Sequence, residues 1–190
     1  MVPEELGRYR IIRHIGDNAL GAAYLGSDPL LKRTVTLQTT QLDPAALEQA
    51  GFAEQFLQKI KAVERLNHPN IAAVHDSARE GDMAYIATEY HEGRDLRELI
   101  VKGKPTPAEL AVELVAGVAD GLAYAHRRGI VHQNIDPSHI TVLPNGGIKL
   151  SGFGIAALHS GSKHPDAAFQ SAPAYLAPEQ FSGKPVDGRT

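Results

Sequence analysis

Residues 106–129, TPAELAVELVAGVADGLAYAHRRG, read as a long helix, and the rest of the chain has to be arranged around it. Thr106 is placed to act as N-cap, Pro107 falls in the first turn where a missing N–H costs nothing, and Glu109 completes a capping box. Leu110, Leu114, Val118 and Leu122 recur every four residues, and Ala111, Val115 and Ala125 widen that apolar stripe. Arg127 and Arg128 bring cations to the negative end of the helix, and Gly129 ends it. The pattern predicts a buried helix, with His126 as a packing or capping residue at its end.

The residues before this helix carry strand signals. Tyr9 to Ile15 alternates apolar and polar side chains and runs into Gly16-Asp17-Asn18-Ala19-Leu20-Gly21, after which Ala22 to Leu25 returns as a second strand. By itself this is an ordinary glycine-containing hairpin. Arg33 to Thr40 is rich in β-formers. Asp43 and Pro44 open a second amphipathic helix, in which Phe52, Phe56, Ile60 and Val63 lie at helical spacing. Ile71 to Asp76 and Met83 to Tyr90 give two more strands about a Glu80-Gly81-Asp82 turn.

Several classes of function are disfavoured by composition. The formal charge of −3, from 19 basic and 22 acidic residues, offers no global attraction to nucleic acid or an anionic membrane. Without cysteine there is neither a disulfide nor a thiolate metal site. No apolar run has the length of a membrane span or the form of a signal peptide, so a cytoplasmic location is expected. His132, His139 and His159 have no ligand spacing that would point to zinc, and no metal site is expected. A chain of 190 residues with 43% hydrophobic content suits one domain, or one domain of two lobes.

Taken in order, these segments resemble the bacterial-type serine/threonine protein kinases. The hairpin lies where that family has G-x-G-x-x-G-x-V, Val35-Thr36-Leu37-Gln38 where it has V-A-I-K, and Leu66-Asn67-His68-Pro69-Asn70 at the end of its C-helix. Thr88-Glu89-Tyr90-His91-Glu92-Gly93 resembles the hinge. His132-Gln133-Asn134 stands at H-R-D, Gly152-Phe153-Gly154 at D-F-G, and Ala177-Pro178-Glu179 at A-P-E. The resemblance implies an α+β fold of two lobes: a five-stranded N-lobe sheet plus C-helix over residues 1–90, and a mainly helical, incomplete C-lobe over residues 91–190 that stops after the activation segment.

The same alignment shows what has been replaced. Gln38 stands at the phosphate-binding lysine and Lys59 at its glutamate partner. Asn134 stands at the aspartate that accepts the substrate proton, and an amide cannot take it. Asp136 stands at a lysine aimed at the transferred phosphate. His139 and Gly152 stand at the two magnesium ligands, leaving no hard oxygen at either. Gln133 replaces the arginine that receives an activation-loop phosphate. Ala23, Thr36 and Thr141 thin out the apolar sandwich around an adenine.

From these losses the expectation is a pseudokinase, a degenerate member with no competent catalytic residue that is not an enzyme but a binding, scaffolding or regulatory module. Gly16, Gly21 and main-chain groups near Glu89 and His91 would give weak, metal-independent ATP binding at most, with no cofactor required. A protein partner or self-association is expected, with no nucleic acid and no membrane segment. The alternatives are a weak or unconventional ATP-dependent serine/threonine kinase, using Lys59 and Asp136 in exchanged roles, and a nonfunctional kinase fragment.

Overall fold

The computed structural model describes residues 3–18, 21–42, 58, 60–100, 107–153 and 173–190. The chain forms two compact units, the first drawn from Met1–Arg65 and Ala73–Tyr90, the second from Leu66–Ala72, His91–Phe153 and Ala174–Thr190.

The first unit is built on an antiparallel sheet of strands β1 (Glu5–Leu6), β2 (Tyr9–Asn18), β3 (Gly21–Asp28), β4 (Arg33–Gln41), β5 (Val74–Glu80) and β6 (Met83–Glu89), in the spatial order β1-β2-β3-β4-β6-β5. Five of these are the strands the sequence predicts. The sixth, β1, is too short to show a period and is added at the edge by pairing Leu6 with Tyr9. Along β4 the alternation sends Val35, Leu37 and Thr39 inward. Val35 and Leu37 join Leu6, Tyr9, Tyr85 and Ala87 in one buried cluster, with the Tyr9 and Tyr85 rings edge to face at 6.1 Å.

One buried group in this unit has no signature in the sequence. Asp28 is fully buried; its Oδ1 accepts the N–H groups of Leu30 and Leu31 at 3.1 Å and so shapes the turn into β4. Its Oδ2 lies 3.5 Å from Arg8 Nη2 and 3.6 Å from Arg33 Nε. Burial alone would raise its pKa, but the N–H groups of Leu31 and Leu30 together with Arg8 and Arg33 outweigh that and hold it below the ordinary value.

Most of the expected second helix, including Phe52 and Phe56, lies outside the described residues. Residues 60–64 are helical, and Ile60 and Val63 are buried as their spacing requires. Ile71 leaves the strand expected of it and instead bridges in parallel to Leu150 within the second unit, where Leu150 also bonds to Asn70 and Ala72.

The second unit contains the helix Ala108–His126 and a three-stranded sheet of β7 (Arg94–Asp95), β8 (Ile140–Val142) and β9 (Ile148–Leu150). Thr106 lies outside the described residues, and Pro107 occupies the N-cap position with no side-chain cap. The helix ends as predicted, with Gly129 at φ +73° donating to the His126 carbonyl. Its buried residues are Leu114, Gly121 and Ala125, spaced seven and four apart, while Val112 and Val115 are 68% and 67% exposed. That corrects the wider stripe: Val115 lies about 100° around the helix from Leu114 and misses the narrow contact face. No described helix is long and apolar enough to cross a membrane.

Candidate functional site

In the first unit the expected glycine loop is drawn into the sheet. Gly16 pairs with Ala23, Asp17 with Ala22 and Asn18 with Gly21. Gly21 has φ +144°, and a Cβ there would lie 2.1 Å from the Thr39 carbonyl oxygen, so only glycine fits; a Cβ on Gly16 would meet nothing within 4 Å. The Thr39 hydroxyl donates to the Ala22 carbonyl at 2.9 Å. Gln38 is turned onto the same backbone, its amide donating to Thr39 O at 3.1 Å and Ala22 O at 3.4 Å. Its polar end is thereby engaged with main chain. At the other end of the sheet Glu89 clasps Ala73 both ways, its N–H donating to the carbonyl at 2.8 Å and its carboxylate accepting the Ala73 N–H at 3.3 Å. His91 follows in the second unit, and Lys59 lies outside the described residues.

The second unit holds the denser part of the site. His132 is buried, its Nδ1 accepting the Asn134 N–H at 3.3 Å, which fixes the other nitrogen as the donor to Ser151 O at 2.8 Å. Its ring lies 4.5 Å from that of Phe153 and 5.9 Å from that of His139. Burial, reinforced by the neighbouring His139, pushes the His132 pKa down to about 3, so the ring is neutral. Between them Gln133 takes a left-handed backbone at φ +66°, and its carbonyl accepts the Gln180 amide at 2.9 Å. Gln180 Oε1 in turn accepts the Ala177 N–H at 3.1 Å, tying the loop to the Pro178–Phe181 helix. Glu179 takes the Thr190 hydroxyl at 2.7 Å.

Asp136 caps the short 3₁₀ turn Pro137–His139 and accepts from both the N–H, at 2.6 Å, and the hydroxyl of Ser138. His139 Nδ1 lies 3.1 Å from Asp136 Oδ2 but off the line of a hydrogen bond, so the contact is electrostatic. Burial opposes ionisation of Asp136, yet His139 and Ser138 more than offset it, and the carboxyl is held well below the ordinary range. Gly152 has φ +89° and packs directly on the His139 ring. Of the residues singled out in the sequence, Asp136, His139 and Gly152 thus belong to one buried cluster around His132, and half-buried Asn134 joins it through its main-chain N–H. Ser138 and Gln180 were missed; the Asp-Pro-Ser cap at 136–138 is legible as an N-terminal turn signal, whereas nothing local marks Gln180.

These residues do not fit magnesium. The ion demands hard oxygen ligands in a near-octahedral shell. Of the two family ligand positions, one presents an imidazole turned onto a carboxylate and the other has no side chain. Among the described residues no group of three or more histidine, aspartate or glutamate side chains is disposed to hold a metal.

The chain belongs to the protein kinase family. The model of the protein kinase domain matches residues 9–190. The serine/threonine-protein kinase PrkC of Bacillus subtilis is 34% identical over 179 residues, covering 93% of this chain and 27% of PrkC. The serine/threonine-protein kinase PknL of Mycobacterium tuberculosis is 33% identical over 184 residues, covering 96% of this chain and 46% of PknL. The crystal structure of the M. tuberculosis PknI kinase domain matches with a TM-score of 0.77 at 27% identity, over all of this chain and 70% of that one. The chain thus spans less than half the length of the curated relatives named here.

This overturns one expectation. The sequence reading placed the chain outside the enzymes because of Gln38, Asn134, His139 and Gly152, whereas relatives named as serine/threonine kinases align with almost all of it and place it in an enzyme family. The error lay in weighing single site positions above agreement along the whole chain.

Proposed function

We propose that this chain is the kinase domain of an unconventional ATP-dependent serine/threonine protein kinase, passing the γ-phosphoryl group of ATP to a protein hydroxyl. The observation that carries the reading is the family match along residues 9–190. The hydroxyl oxygen bonds to phosphorus as the bond to the ADP oxygen breaks, and the hydroxyl proton must go to the protein. Kinase transition states are loose, so the proton moves late and positioning counts for more than base strength. Asp136, ionised and beside His139, is the acceptor in the described loop, taking the role that Asn134 cannot. ATP is held weakly and without metal by main-chain groups near Glu89 and His91 and by the Gly16–Gly21 hairpin.

Because catalytic groups act as a unit, the replacements at 38, 134, 139 and 152 slow transfer by roughly 10³-fold or more relative to ordinary kinases. The direct test is phosphate incorporation from labelled ATP into a serine- and threonine-bearing protein, with contaminating kinases removed. Slow incorporation dependent on this chain is expected; none above the enzyme-free background would refute the proposal.

The domain works in the cytoplasm and associates with a protein partner or a second copy. Val112, Val115, Tyr175 and Phe181 are all more than half exposed, and large exposed apolar side chains favour association. Light scattering on the 190-residue chain is expected to show a mass above the monomer's 20.4 kDa, reduced by the pair Val112→Lys and Val115→Lys. A strict monomer with little binding of a hydrophobic dye would contradict it.

A further inference from the structure

A Cβ built on Gly152 would lie 2.5 Å from His139 Cδ2 and 3.1 Å from both Cγ and Nε2, so the imidazole already occupies the volume of any side chain at position 152. The ring has little freedom to withdraw. It is 7% exposed, with Asp136 Oδ2 3.1 Å from its Nδ1 and the His132 ring edge-on at 5.9 Å. Its backbone is fixed as well: His139 N–H donates to Asp136 O at 3.1 Å, and His139 O accepts the Ser151 N–H at 2.8 Å and the Ser151 hydroxyl at 3.3 Å.

We infer that His139 and Gly152 form one coupled replacement: the imidazole fills the space of the missing carboxylate and closes the place where the family holds its cation, so a divalent-ion site returns only when both positions change together. Either residue alone cannot be exchanged for the family's ligand. Aspartate at 152 meets the ring, and asparagine at 139 leaves an opening that has Asp136 on one side but, with glycine at 152, no ligand facing it from the other. The inference rests on the family membership and the packing, not on the proposed transfer, so it stands or falls separately from that activity.

The test uses Mn²⁺ as the probe, read by electron paramagnetic resonance on the whole chain without nucleotide, since ATP itself chelates the ion. Wild type, Gly152→Asp and His139→Asn are expected to bind no Mn²⁺ beyond the weak, non-stoichiometric level of a surface, while the double variant gains at least about tenfold in affinity, a change of ~1.4 kcal/mol. Should the aspartate variants fail to fold, Gly152→Ala isolates the contact. Alanine at φ +89° is strained in any background, but the collision exists only while His139 is present. Its melting temperature is therefore expected to fall by about 4 °C more in wild type than in a His139→Ala background. Stoichiometric Mn²⁺ binding by wild type or by Gly152→Asp alone, a folded double variant that binds none, or an equal alanine penalty in both backgrounds would each overturn the inference.

Discussion

Acidification from pH 6.5 towards pH 3 is expected to destabilise this protein steeply, with His132 supplying a large part of the slope. Burial lowers the folded-state pKa of His132 to about 3 from an ordinary value of 6.5. Between those two values the unfolded chain binds a proton that the folded chain does not, so stability rises with pH and is lost as pH falls. Each pH unit inside the window costs up to about 1.4 kcal/mol, against a total of only 5–15 kcal/mol for an ordinary domain. The measurement is urea unfolding at pH 7, 5.5 and 4.5 on wild type and His132→Phe. At pH 7 the phenylalanine variant should be less stable by about 2–4 kcal/mol, because the Ser151 carbonyl and the Asn134 N–H lose their partner. It should also have the flatter acid profile. Parallel profiles for the two proteins would show that the proton uptake belongs elsewhere.

The second large effect concerns Asp136. Its ionised form is favoured by His139 and by the two Ser138 donors despite burial, so its contribution is complete above the ordinary aspartate pKa near 3.8 and is lost as pH falls below it, beneath most of the His132 window. Asp136→Asn keeps the shape but removes the charge beside His139. About 1–3 kcal/mol of stability should go with it, and the acid limb below pH 4 should shrink. Phosphate transfer should drop by about 10²-fold or more, the usual scale for a group that takes the reacting proton. A variant with wild-type transfer and an unchanged acid limb would place the acceptor outside this cluster.

The sheet was legible in the sequence because β-forming residues and turn residues are local: β2, β3, β4 and β6 fall where expected, whereas β5 runs Val74–Glu80, shifted from the expected Ile71–Asp76, and the two-residue β1 shows no period. The long helix was legible in extent but not in its buried face, since whether Val115 or Gly121 meets a neighbour depends on where Asn70 and Ile71 lie. Motif spacing located the cluster of Asn134, Asp136, His139 and Gly152. Spacing could not show that Gln38 folds back onto the Ala22 and Thr39 carbonyls, that Gln180 reaches Gln133 from 47 residues away, or that Asp28 sits between Arg8 and Arg33. Those contacts are set by tertiary geometry. The largest misjudgement, reading lost side chains as lost enzyme class, came from scoring each position alone.

The central claim is that a kinase-family domain with these replacements still transfers phosphate. It is tested most directly by incubating the purified chain and its Asp136→Asn variant with γ-labelled ATP and a serine- and threonine-rich protein, then hydrolysing the product and identifying the labelled amino acid. The account predicts slow label on serine or threonine with wild type and a loss of about 10²-fold or more with the variant. Equal label with both proteins, or none above background with either, would contradict it.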